Sequence, residues 1–247
     1  MELLKNHRSI RSYLKTEIGN DVLNEILECG IRASNTGNMQ LCSVIVTKDQ
    51  AKRKLLAPFH FNQPMVVNAP VLLTVCIDIN RFYKWCSVNN TQADFQNLLW
   101  LLNGCVDASI FAQNICIAAE NHGLGICYLG TTLYNAAEIA EVLKLPAGVV
   151  PITALTMGYP ESVPELTDRL PFQSVVHYEE YSDFSDSEIV EFYKEKESLG
   201  ASQKFVSENA KENLAQVYTE VRYKKQDSDF FSKKLIEFLT VQGFRLE

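Results

Sequence analysis

The sequence predicts an α+β or α/β fold with few strands and many helices. Three observations predict it. Two short apolar segments, Cys42–Thr47 and Val71–Ile77, read as strands. A long apolar helix follows over about Asp94–Asn121. Two more strand-like segments, Ile126–Leu129 and Ile152–Met157, come after it.

Each element has its own signal. Asn20–Ser34 carries Val22, Leu23, Ile26, Leu27 and Ile31 at helical spacing. Asp49 stands where a cap would start a helix running to about Leu56, and Pro70 opens the second strand. The long helix has apolar residues on nearly every face, the mark of a central buried helix, and His122-Gly123 ends it as a glycine C-cap would. After Tyr159, Pro160, Pro164 and Pro171 mark an extended connection. Three looser helices are expected beyond it, over about Ser187–Ser198, Val206–Val217 and Ser228–Gln242. The chain thus divides into a core over 1–160 and a C-terminal extension over 161–247, whose helices pack on the core or on a partner subunit. There is no internal repeat and no low-complexity tract.

Of the 247 residues, 47% are hydrophobic and 21% charged, an ordinary globular composition. A net charge of -7 argues against a nucleic-acid binder, which usually carries a basic face. The seven cysteines form no CxxC pair, and most sit in apolar segments, as free thiols in a reducing cytosol do. The opening MELLKNHRSIRSY lacks the apolar core of a signal peptide. The apolar stretch Leu98–Ala119 is interrupted by Asn103, Asp107, Gln113 and Asn114, too many polar residues for a lipid-facing span. A cytoplasmic protein with no membrane or nucleic-acid partner is expected.

Common catalytic motifs are absent. GxSxG, HExxH and GxxxxGK[ST] do not occur, and the histidines at 7, 60, 122 and 177 have no metal-ligand spacing, so no metal is expected. Gly123–Gly130 superficially resembles a dinucleotide loop, but it follows a helix and enters a strand, the reverse of the required order. Three segments remain. His7-Arg8-Ser9-Ile10-Arg11-Ser12 offers forked donors and a hydroxyl, suited to a phosphate or an electron-rich ring, or simply a solvated helix end. Arg32–Gln40 (RASNTGNMQ) places five polar residues and a glycine between a helix and a strand, which serves a ligand or an ordinary helix-ending turn. Arg169, in DRLP, alone reads as a surface charge.

Taken in order, these segments and CVDASIFAQNICIAAENHGLGICYLG resemble the FMN-dependent nitroreductase family, in its NADPH-type oxygen-insensitive nitroreductase and flavin reductase branch. The resemblance implies an α+β sandwich, a small central sheet flanked by helices, in a homodimer with FMN at the subunit interface. The apolar long helix also suits a dimer. By position, His7, Arg8 and Ser9 would bind the FMN phosphate and ribityl chain, with Arg11 near the ring. Thr36, Asn38 and Gln40 would line a second flank, Gln63 in FNQPM would approach the ring, and Tyr128, Leu129 and Gly130 would contact it through their backbone. Arg169 would complete the phosphate clamp. Arg53 lies outside every motif, and Arg53→Ala is expected to do little to FMN binding.

The implied function is transfer of electrons from NADPH or NADH to a small organic acceptor (a nitroaromatic, a quinone or free flavin) by a ping-pong mechanism. The flavin supplies the chemistry, so no catalytic side chain is expected. The alternative is an FMN-binding protein with little turnover, a flavin store or sensor. The chain also departs from the resembling branch. Ser34-Asn35 and Leu41-Cys42 replace its Pro-Ser and Pro-Trp, and Thr167 stands where a basic residue is common. Its arginine-rich nucleotide segment corresponds to Lys194–Asn213, which has lysines 194, 196, 204 and 211 and no arginine. A cluster of Arg222, Lys224 and Lys225 lies further on.

Overall fold

In the computed structural model, which describes residues 1–246, the elements follow in the order α1 (Glu2–Lys5), α2 (Asn20–Ile31), β1 (Cys42–Thr47), α3 (Gln50–Leu56), α4 (Pro64–Asn68), β2 (Val71–Asp78), α5 (Ile79–Val88), α6 (Leu98–Asn121), β3 (Gly125–Leu129), α7 (Ala136–Leu143), β4 (Val149–Gly158), α8 (Asp186–Ser198), α9 (Gly200–Glu208), α10 (Leu214–Gln216) and α11 (Lys225–Val241). The four strands form one antiparallel sheet in the order β1-β2-β4-β3. This is an α+β fold, as expected.

The sheet explains its own sequence. All eight residues of β2 are buried, because β2 is a central strand with both faces covered. Val71, Leu73 and Val75 point to one face, where they meet Ala108, Ala112, Ile115 and Ala119 of α6. Leu72 points to the other, among Leu56, Met65, Val66, Leu129 and Ile139. The alternation is the period of two that a strand imposes. A third cluster gathers Ile77, Leu101, Val150, Phe238, Leu239 and Phe244.

The helix α6 begins at Leu98 rather than near Asp94, where the Asn97 side chain accepts from the Trp100 N–H at 3.2 Å and caps it. It is long and apolar enough to cross a membrane by length and composition. Nine of its residues are nonetheless buried within the chain. Gly123, left-handed at φ 72°, follows its C-cap His122 as the sequence predicts.

Two compact units result. The first is Met1–Glu165 together with the residues from Phe231 onward, and the second is Leu166–Phe230. The end of the chain therefore counts with the core, where Phe238, Leu239 and Phe244 are buried. In the second unit, Ser185 and Glu188 form a capping box at the start of α8. The helix expected over Val206–Val217 is broken. α9 stops at Glu208, Ala210 is left-handed at φ 51°, and Asn213 restarts the chain by accepting from Gln216 N–H at 2.9 Å. Short amide side chains compete with the helix for backbone groups, and this stretch holds two of them, Asn209 and Asn213. Helices α5 and α7 have no counterpart in the sequence reading.

Arg53, outside every motif, has a structural part. It is 6% exposed, and its guanidinium donates to the carbonyls of Lys48, Val67 and Pro70. It therefore joins α3 to the segment that leads from α4 into β2. Removing it deprives three backbone carbonyls of their donor and removes a buried side chain, so Arg53→Ala is expected to lower unfolding stability by about 1–3 kcal/mol. Urea denaturation checks this, and a midpoint equal to wild type would contradict it.

Candidate functional site

The HRSIR segment lies along the outer edge of the sheet. Ser9 bridges Ile126 in parallel, and Ile10 N–H donates to Ile126 C=O at 2.9 Å. This close approach requires glycine at 125, since a Cβ there would overlap the Ile10 side chain. Buried Tyr13 secures the far end, with its hydroxyl donating to Ile10 C=O at 2.5 Å and bonding Thr156 Oγ1 at 2.7 Å. Among the described residues, no bridge continues along the edge of β3 past Ile126, where Tyr128 follows as a half-buried residue.

The side chains of this segment are arranged unequally. His7 Nδ1 lies 2.5 Å from Glu120 Oε1, and the buried Cys116 thiol is 3.9 Å from the same nitrogen. These three groups lie within 4.8 Å of one another, although sequence spacing gave no hint of a cluster. Burial, with Glu120 close by, pushes the Cys116 thiol up to about 12, so it is held as the neutral thiol. Arg8 donates through one terminal nitrogen to Asn6 C=O at 2.8 Å, while its Nε is buried with no partner among the described residues. Arg11 is exposed and donates to Ser9 C=O at 3.4 Å.

The end of β3 and the FNQPM loop stand beside each other. Tyr128 donates its hydroxyl to Gln113 of α6 at 3.2 Å, and burial raises its pKa. Leu129 is buried, and Gly130 is exposed with nothing within 4 Å of where a Cβ would sit. Gln63 caps the start of α4, and its half-buried side chain has no hydrogen bond among the described residues.

The polar loop over Thr36–Gln40 is built differently. Gly37, Asn38 and Gln40 are all left-handed, at φ 57°, 55° and 54°. Thr36 donates its N–H at 3.0 and 3.1 Å, and its hydroxyl at 3.0 Å, to the buried carboxylate of Asp107. The Thr36 hydroxyl is thus committed, and the loop's exposed polar side chains are Asn38 and Gln40. Arg81 donates to the carbonyls of Gln40 and Cys42. Asp107 and Glu120 both belong to α6, about 20 Å apart along its axis at 1.5 Å per residue. One chain therefore holds its two motifs apart.

In the second unit, Arg169 is exposed and folds onto its own loop, donating to Thr167 Oγ1 at 2.7 Å and Asp168 C=O at 2.8 Å. The four lysines of the 194–213 stretch are all ion-paired: Lys194 with Glu191, Lys196 with Asp168, Lys204 with Glu208 and Lys211 with Glu220. Lys225 pairs with Asp229, and Arg222 lies 4.6 Å over the ring of Phe205.

Sequence reasoning missed Asp107, Glu120 and His60. The two acids carried a legible signal, since a carboxylate in an otherwise apolar helix must find a partner. His60 carried none. It is wholly buried, with Nδ1 2.9 Å from Thr131 Oγ1 and Nε2 unpartnered among the described residues. Burial lowers its pKa to about 4. The unfolded chain thus binds a proton that the folded chain refuses between about pH 6.5 and 4, so stability falls as pH drops through that window. The contribution is up to about 3 kcal/mol. In paired urea titrations at pH 7 and 4.5, His60→Gln is expected to lose less stability than wild type, and equal losses would contradict this.

Comparison with known proteins follows the same lines. A profile of the nitroreductase family matches residues 4–159. An NADPH-flavin oxidoreductase of Vibrio harveyi is 34% identical over 203 residues, covering 82% of each chain. An FMN reductase (NAD(P)H) of Bacillus subtilis is 30% identical over 254 residues, covering 99% of this chain and 97% of the relative. The crystal structure of a candidate oxidoreductase from Bacteroides fragilis matches with a TM-score of 0.97 and 48% identity, covering 98% of this chain and 99% of that one.

Proposed function

The chain belongs to the nitroreductase family, and on that premise we propose that it binds FMN and passes electrons from NADPH or NADH to a small organic acceptor. The observation that carries the reading is the buried, unpartnered Arg8 Nε. A buried donor without an acceptor is costly, and a phosphate oxygen would satisfy it. Two further features fit the same cofactor. No bridge continues along the edge of β3 past Ile126 among the described residues, and the space beside Gly130 is open.

In this reading His7, Arg8 and Ser9 hold the phosphate and ribityl chain, with His7 oriented by Glu120. Arg11, Gln63 and the backbone of Tyr128, Leu129 and Gly130 address the ring. Arg169 is assigned to the phosphate by its motif alone. Thr36, Asn38 and Gln40 serve the second flank, and Asp107 fixes the shape of their loop. The distance between Asp107 and Glu120 along α6 favours a second copy as the source of that flank. Leu98, Leu99, Leu102, Val106 and Ile110 of α6 are exposed by 46, 63, 55, 56 and 37%, a surface that a homodimer would cover. Bound FMN supplies the redox chemistry, taking a hydride from the nicotinamide and giving electrons to a nitroaromatic, quinone or free flavin in alternation. The protein binds and orients, so a nucleophilic side chain is not required.

The purified protein is expected to be yellow, to hold about one FMN per chain and to have the mass of two chains by light scattering. Steady NAD(P)H oxidation with an artificial acceptor separates an enzyme from a flavin store. Arg8→Ala is expected to weaken FMN binding by about ten- to a hundredfold, through loss of a charge-assisted contact. Lys84→Ala, exposed on α5, is expected to leave it unchanged. Colourless protein that takes up no added FMN would overturn the proposal.

The ion pairs of the second unit bear on the electron donor. Recognition of the NADPH 2′-phosphate needs free cations, best an arginine fork. In the segment that corresponds to that role every lysine already has an acidic partner. The expected ratio of kcat/KM for NADPH over NADH, with one fixed acceptor, is below about a hundredfold, or about 2.8 kcal/mol. A ratio in the thousands would assign the missing cation to the Arg222 cluster.

A further inference from the structure

The loop carrying Gln63 is held in an unfavourable shape. Phe61 and Asn62 are consecutive non-glycine residues in the left-handed region, at φ 52° and 53°. Each such residue costs about 1 kcal/mol or more, and persists only where its surroundings impose it. Local bonds contribute: Phe61 N–H donates to Pro58 C=O at 3.1 Å, Asn62 N–H to Ala57 C=O at 2.8 Å and Gln63 N–H to His60 C=O at 3.2 Å. These shape the turn without fixing where it lies relative to anything else.

Two bonds fix its place. His60 Nδ1 meets Thr131 Oγ1 at 2.9 Å, and Asn135 donates its amide to Phe59 C=O at 2.9 Å. Both run from the turn before Gln63 to the turn that follows Gly130. That second turn is itself closed by Thr132, whose hydroxyl donates to Leu129 C=O at 3.0 Å. The turn over 59–63 and the turn over 129–135 are therefore tied to each other, with His60 wholly buried at the junction.

Packing does not account for a histidine there. Residues close to it in the chain, Leu56, Ala57 and Met65, belong to an apolar cluster, as does Leu129 near its partner Thr131. An aliphatic side chain would fill such a position without leaving a ring nitrogen unpaired, which costs about 1–3 kcal/mol. Burial keeps the ring neutral, which rules out an ion pair as its purpose. What the imidazole alone provides is a directed bond to Thr131.

We propose that His60 is a positioning residue for the flavin site, fixing Gln63 relative to Leu129 and Gly130 so that both segments reach the cofactor ring in one register. The inference rests on the FMN reading above and goes beyond it, since no motif includes His60 or Thr131.

The test is an FMN titration with visible circular dichroism of the bound flavin and the thermal midpoint measured on the same samples. Thr131→Val keeps the shape and removes the bond, and His60→Leu keeps the volume. Each is expected to weaken FMN binding by about tenfold and to alter the flavin dichroism. His60→Asn, whose amide can occupy the place of Nδ1, is expected to recover most of both. If the tie acts through Gln63, then Thr131→Val adds nothing to the loss already caused by Gln63→Ala. Losses that multiply in the double variant, or variants that shift only the thermal midpoint, would overturn the role of His60 while leaving the FMN reading intact. Failure of the wild-type chain to bind FMN would overturn both.

Discussion

A buried helix can carry polar side chains only where each is satisfied, and that constraint organises this molecule. Helix α6 is its spine. Asp107 takes three hydrogen bonds from Thr36 and so shapes the polar loop. Gln113 receives the hydroxyl of Tyr128 at the end of β3. Asn114 donates to Cys29 C=O at 3.1 Å and ties α2 to the spine. Glu120, in the last turn, holds His7. Three of the four residues that interrupt the apolar stretch are thus struts. These polar residues, which interrupt the apolar stretch, are where neighbouring segments attach to the helix.

Much of this was legible. The strands stand where short apolar runs placed them, and the central position of α6 followed from its apolar circumference. The HRSIRS and RASNTGNMQ segments could be singled out because they concentrate donors between apolar elements. Their separation along α6 could not be read, since neither motif says which turn of the helix it will meet. The structural part of Arg53 could not be read for a related reason. Its partners are backbone carbonyls of Lys48, Val67 and Pro70, and a carbonyl has no letter in the sequence. His60 was invisible in the same way, because its meaning depends on Thr131, seventy-one positions away. The break after Glu208 was misread as continuous helix because apolar spacing was weighed above the two asparagines.

The two units also differ in how they treat charge. In the first, the key ionic groups are buried or half-buried and bind backbone or histidine, as Asp107, Arg53 and Glu120 do. In the second, lysines and acids pair at the surface along helices, as Lys194 with Glu191 and Lys204 with Glu208. Pairs of the second kind contribute little to stability and are weakened by salt. The buried contacts of Asp107 and Arg53 are screened by salt much less than these surface pairs.

The thiol of Cys116 has a consequence of another kind. Peroxide and related oxidants attack thiolates, and a thiol with a pKa of about 12 is ionised at neutral pH in only about one molecule in 10⁵. Cys127, beside Arg11, is likewise shifted upward by burial. The two cysteines nearest the first motif are buried in their inert form, so sulfenic acid formation there is suppressed by the same apolar packing that holds the sheet to α6.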